Sequence, residues 1–236
     1  MINLKLRFDN PGEFLACCGL FYLSDKLKRE GKSTGFFSSQ GNFTLNTPLS
    51  LDKIFQQLFA SRRYQQNDTA IIELPNGEKI QLNWWEKLRA LKWGGHNTPH
   101  DILDRLFEKV HQIYNFIPSN LFHRTDVTTY FGLDARNPLG GEVGYSPRDA
   151  RRQIAISPVV ELLGAIGLQY FSLRWSKDGF HYATWGEEKY SLPLKIAQVA
   201  SAGLIEPAVF QEFKTTISTV GSVKLLSWAT PTPSRV

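Results

Sequence analysis

The chain has 236 residues and carries 27 Lys and Arg against 22 Asp and Glu, a net charge of +5. A chain of this length buries about 70–75% of its unfolded surface, so its core needs neither a disulfide nor a metal. The two cysteines are the neighbours Cys17 and Cys18, which argues against a disulfide framework and for a reducing, cytoplasmic setting; the mild basic excess suits nucleic acid and ordinary soluble proteins alike.

Ile2 to Phe8 alternates apolar and polar residues, the period-two pattern of a half-buried strand. Asn10 then offers an N-cap, Pro11 sits in the first helical turn and Glu13 complements the dipole, predicting a helix that stops near Gly31. Its apolar stretch, Phe14 to Leu23, is too short to cross a bilayer. Asp9 to Glu13 separate it from the upstream Lys5 and Arg7, unlike a signal peptide. It reads as a core helix.

Gly35 to Leu45 predicts a strand pair around Gln40-Gly41-Asn42, and Leu49 to Arg63 a second helix with Leu51, Ile54, Phe55, Leu58 and Phe59 at helical spacing. Thr69–Leu74 and Lys79–Trp84 flank Asn76-Gly77, a strong hairpin signal. Asn97 to Phe116 predicts a third helix, Leu133 to Pro147 a Gly- and Pro-rich structured loop, and Pro158 to Phe171 another helix. A hairpin (Gly179–Thr184 with Lys189–Leu192), a short helix (Pro193–Ala202) and a strand pair (Phe210–Val220 with Ser222–Trp228) follow. The Pro-rich tail, Thr230 to Val236, is expected to be flexible. Strands and helices without regular βαβ alternation predict an α+β fold of antiparallel hairpins packed with helices. Its expected subdomains are residues 1–120 and 121–229, with a tail over 230–236.

One pattern recurs 148 positions apart: Glu13-Phe14-Leu15-Ala16-Cys17-Cys18-Gly19-Leu20-Phe21-Tyr22 and Glu161-Leu162-Leu163-Gly164-Ala165-Ile166-Gly167-Leu168-Gln169-Tyr170. Gly inside a helix costs roughly 1 kcal/mol against Ala, so two Gly in one register signal a backbone brought close to something. Tight helix packing meets that requirement; an internal duplication, giving two halves that pack on each other, is the sharper reading.

Two stretches combine basic residues with turns or aromatics. Trp84 to Gly95 holds Trp84, Trp85 and Trp93 beside Lys87, Arg89 and Lys92, either a platform for stacking bases and neutralising phosphates or a buried Trp cluster. Arg136 precedes Arg148, Arg151 and Arg152, whose i, i+3, i+4 spacing places the last three on one helical face as a phosphate clamp. Asp134 and Asp149 are the alternative partners of these arginines. His96 and His100 stand four apart near Asp101 and Asp104, but Pro99 starts a helix between them, so no metal site is expected. Walker, dinucleotide, Cys-x-x-Cys and Gly-x-Ser-x-Gly motifs are absent, and an enzyme is not indicated.

Asn10-Pro11-Gly12-Glu13-Phe14-Leu15-Ala16-Cys17-Cys18-Gly19-Leu20 resembles the opening of a CRISPR-associated family, the Csb family of type I-U (I-G) systems. Phe131-Gly132-Leu133-Asp134-Ala135-Arg136, Gly144-Tyr145-Ser146-Pro147, Ser157 to Leu168 and Tyr182-Ala183-Thr184-Trp185 are similar to its later segments, in the same order. The resemblance implies a large-subunit-like Cascade component: a non-catalytic subunit of a crRNA-guided surveillance complex in antiviral defence. Its expected partners are crRNA or target DNA and other Cascade subunits, with no membrane, metal or small-molecule cofactor. The nucleic-acid contacts fall to Lys87, Arg89, Lys92, Trp93, Arg136, Arg148, Arg151 and Arg152. Two alternatives stand beside this reading: a metal-independent endoribonuclease that processes precursor crRNA with a His acid–base group, and a structural adaptor making protein contacts only.

Overall fold

Asn10 opens the longest helix as the sequence requires, its side-chain oxygen accepting the Gly12 N–H at 3.1 Å. The computed structural model describes residues 1–28, 31–87, 98–116, 120–136, 154–186, 191–205, 209–220 and 223–233. In chain order the elements are β1 (Ile2–Lys5), α1 (Pro11–Leu27), β2 (Thr34–Ser38), β3 (Asn42–Asn46), α2 (Leu51–Phe59), β4 (Arg62–Gln66), β5 (Thr69–Glu73) and β6 (Lys79–Leu82). There follow α3 (Trp84–Lys87), α4 (Pro99–Gln112), β7 (Thr125–Val127), β8 (Ile154–Ile156), α5 (Pro158–Tyr170), β9 (Arg174–Ser176) and β10 (Gly179–Trp185). The last are β11 (Leu192–Pro193), α6 (Leu194–Ala200), β12 (Val209–Val220), β13 (Val223–Leu226) and β14 (Thr230–Pro231). The fold is α+β.

The named strands pair antiparallel throughout. One sheet runs β1-β3-β2-β11, a second β13-β12-β10-β9 with β14 on β12, a third β4-β5-β6, and β7 pairs β8. Helices α1 and α5 are apolar on every side, so each must be covered all round. Every residue of α1 from Pro11 to Ser24 is buried, as is every residue of α5 from Pro158 to Leu168.

The recurrent glycines sit where these two helices touch. A Cβ at Gly19 would lie 2.0 Å from the Leu163 carbonyl oxygen, and one at Gly167 would lie 2.0 Å from that of Leu15. The relation is reciprocal: each Gly admits the backbone of the other helix four residues before the other Gly. At the far end of the pattern Tyr22 stacks on Tyr170 at 3.8 Å. Reciprocal packing thus accounts for the recurrence without requiring a duplication.

The other side of α1 faces aromatics. Phe14 stacks on Tyr182 at 4.5 Å and on Phe37 at 5.4 Å, with Trp185 edge-on. Tyr182 donates its hydroxyl to the Phe8 carbonyl and Trp185 its indole N–H to the Gly35 carbonyl, both at 2.6 Å. These two bonds tie β10 to the turn before α1 and to β2 of the first sheet, each across more than half the chain. Among the described residues no helix is long and apolar enough to cross a membrane.

Several elements differ from expectation: β1 ends at Lys5, before Phe8, α1 at Leu27, before Gly31, and α4 covers Pro99–Gln112 within the expected 97–116. The second helix ends at Phe59 and Arg62–Gln66 is a strand: Ser61 returns both its N–H and its hydroxyl to Leu58, closing the last turn. Asn67, in the left-handed region at φ 53°, then turns β4 into β5. Trp84 opens α3 instead of ending a strand. Leu192 pairs with Gly35 of β2, not with the strand over 179–184. The tail is held as far as Thr232: Thr230–Pro231 pairs with β12, and the Thr232 N–H bonds the Glu212 carbonyl at 2.9 Å.

Candidate functional site

The N-termini of α1 and α5 meet the loop Phe131–Arg136 at a cluster of buried charge. Asn10, Asp134, Ser157 and Glu161 are fully buried, and Glu13 nearly so. Glu161 accepts three backbone N–H groups, from Phe131 at 2.7 Å, Leu133 at 2.9 Å and Asp134 at 2.8 Å. Gly132 makes this cradle possible: its φ of 82° belongs to the left-handed region, and a Cβ there would meet the Lys224 carbonyl oxygen at 2.3 Å.

Asp134 is the hub. Arg136 grips it in a fork, Nε to Oδ1 and Nη2 to Oδ2, both at 2.8 Å. Asn10 donates to it at 2.9 Å and the Ser157 backbone N–H at 2.9 Å. Glu13 accepts the Arg7 backbone N–H at 2.7 Å and lies 3.3 Å from Arg136 Nη1. The Asn10 side-chain oxygen also takes the Ala135 N–H at 3.2 Å. One asparagine therefore caps α1 and anchors the loop.

The electrostatics follow from three carboxylates sharing one guanidinium in a dry place. Burial pushes Glu161 up to about 7 despite its three backbone donors, with the Asp134 charge adding to the rise. Burial raises Glu13 as well, against the pull of the Arg7 N–H and of Arg136. At Asp134 burial is overcome by Arg136, whose bonds hold the carboxyl below its ordinary value. Burial likewise opposes the charge on Arg136, but Asp134 and then Glu13 hold that group above its ordinary value.

What this arrangement does is fix geometry. It locks the starts of both central helices to one loop and joins Asp134 to Ser157, the two sides of the 137–153 segment. Arg124 adds a second tie there, donating Nε and Nη2 to the Ala155 carbonyl at 3.0 and 2.6 Å.

Of the residues expected to touch nucleic acid, Arg136 is in this cluster with 17% of its side chain exposed. Its fork faces Asp134 and Glu13, the outcome the sequence left open when it offered Asp134 as a partner. Lys87 is the last residue of α3, and only its backbone is described. Arg89, Lys92, Trp93, Arg148, Arg151 and Arg152 lie outside the described residues. Trp84 and Trp85 are buried, 5.4 Å apart, and the Trp85 indole donates to the Asp68 carbonyl.

His100 lies 3.3 Å from Asp104, and His96 falls outside the described residues. No group of three or more His, Cys, Asp or Glu side chains that could hold a metal is found among the described residues. Both cysteines are buried and free, their thiols pushed well up by burial.

Sequence reasoning missed a second feature, on the sheet face turned away from the core. Arg174 of β9 and Lys214 of β12 stand directly opposite His181 of β10 on either side. Strand register alone brings them together. The one available signal was alternation: Phe180 and Tyr182 are apolar, so His181 between them points outward. Comparison with protein-family models, with curated proteins and with solved structures finds no match to this chain.

Proposed function

We propose that the chain is a non-catalytic subunit of a crRNA-guided, Cascade-type surveillance complex, acting in cytoplasmic antiviral defence. One observation supports the reading above others. Four of the five segments that carry the resemblance to the Csb family are neighbours in space, the fifth, Gly144–Pro147, lying outside the described residues: Asn10 and Glu13 from the first, Asp134 and Arg136 from the second, Ser157 and Glu161 from the fourth share one hydrogen-bonded cluster. Tyr182, from the last, stacks on Phe14 of the first.

On this reading the cluster is a scaffold and carries no chemistry on a substrate. It sets the ends of the segment bearing Arg148, Arg151 and Arg152, the basic residues proposed to hold phosphates of crRNA or target DNA together with Lys87, Arg89, Lys92 and Trp93. Base pairing between guide and target supplies sequence recognition, and the protein holds backbones and neighbouring subunits. Isolating the chain with whatever RNA and protein accompany it tests the reading: guide RNA and partner subunits are expected, and their absence would overturn it.

A further inference from the structure

Antiparallel register sets three basic residues in a line across β9, β10 and β12. Arg174 pairs with His181, and His181 pairs with Lys214. Directly opposite residues share a face, with Cβ atoms about 4.5–5.5 Å apart, so the line spans about 10 Å. The core lies on the other face, where Phe180, Tyr182 and Phe213 are buried. On the outer face Lys214 is exposed, His181 and Arg174 are half-buried, and the exposed Thr216 and Ser176 add hydroxyls one step along the strands.

A protonated His181 would set like charges directly opposite each other, which destabilises a sheet, and the row is only partly offset. Glu212, also on this face, takes Arg174 Nη2 at 2.5 Å. Arg174 Nε is buried and has no hydrogen-bond partner among the described residues. Burial, then the charges of Arg174 and Lys214, push the His181 pKa below its ordinary value, with Glu212 opposing. The imidazole is therefore held neutral between two cations. An anion laid over the row reverses that arrangement: it pairs with Lys214 and Arg174 and lets His181 take up a proton.

We propose that this face binds the phosphate backbone of a single-stranded nucleic acid through Arg174, His181 and Lys214. Two cations with a protonatable imidazole between them, flanked by hydroxyls, fit anions repeated along a strand better than one isolated phosphate. The proposal rests on the nucleic-acid reading above and gives it a surface that the sequence had not indicated.

The test measures the affinity of the full chain for labelled single-stranded RNA and DNA of mixed sequence, across salt and pH. The parent, Lys214→Glu and His181→Asn are compared, with thermal melting to verify that each variant is folded. Parent affinity should rise several-fold as pH falls from about 8 to about 5. Lys214→Glu should lose about tenfold in affinity and flatten the salt slope by about 0.7 or more; His181→Asn should abolish the pH dependence. If the parent binds and both variants match it in affinity, slope and pH profile, the assigned face is wrong while the nucleic-acid reading stands. If the parent binds neither RNA nor DNA, that reading falls with it. An NMR titration of the His181 ring with inorganic phosphate and with polyglutamate decides what remains: a response to either without nucleic-acid binding would mark the row as an anion site of another kind and overturn the proposal.

Discussion

Arg136 stands between two buried acids, Asp134 and Glu13, and its removal leaves both without a cation. Breaking a buried pair from one side costs about 3–5 kcal/mol, so Arg136→Ala should lower unfolding free energy by that order in a urea titration. Loss of a surface phosphate contact would leave stability within about 0.5 kcal/mol, which separates the two roles cleanly. Glu161 makes a different prediction. In the fold it keeps its proton up to about pH 7, against an ordinary value of 4.5. The folded state thus binds more protons than the unfolded chain between those values, and stability falls as pH rises through that window. Compared with Glu161→Gln, which stays neutral, the parent should lose on the order of 3 kcal/mol from about pH 4.5 to about pH 7. A difference that does not vary with pH would mean that Glu161 titrates alike in both states. The sequence identified Asn10 as a cap and Glu13 as its dipole partner because both act within one turn. It could not show Glu161 in its cradle, since the donors lie 27 to 30 residues away on a loop shaped by Gly132.

Helices α1 and α5 turn a propensity rule upside down. On an exposed helix, Gly→Ala stabilises by roughly 1 kcal/mol. At Gly19 and Gly167 the new methyl would enter a backbone carbonyl of the opposite helix, and overpacking of this kind costs typically 1–3 kcal/mol or more. Both Gly19→Ala and Gly167→Ala should therefore lower the melting temperature, and the double variant should fall short of the sum because one separation of the helices relieves both clashes. Additive losses would show that the two glycines do not share a contact. The close approach was legible from the two glycines in one register; which backbone approached was not. Local signals served well where structure is local. Asn76-Gly77 gave the β5–β6 hairpin and Gln40-Gly41-Asn42 the β2–β3 turn. They failed at Arg62–Gln66, where a polar edge strand carries no apolar alternation, and at Leu192, whose partner Gly35 lies far back in the chain.

Across the whole molecule, long-range pairing decides what residue order conceals. The cation row exists because β12 and β9 flank β10, and Lys214 is 33 residues from His181. Counting charges gave a net +5 without showing where a strand of phosphates would lie. The same topology gathers the described resemblance-bearing segments around α1 and α5, and the functional account depends on that gathering. The chain, tagged and recovered at low salt from the cells that make it, provides the direct test through sequencing of its bound RNA and identification of its protein companions. The account predicts short RNAs bearing CRISPR-repeat sequence, together with further Cascade subunits, and loss of the RNA as salt is raised. A chain recovered alone, or with RNA that shows no repeat-derived sequence, would contradict it.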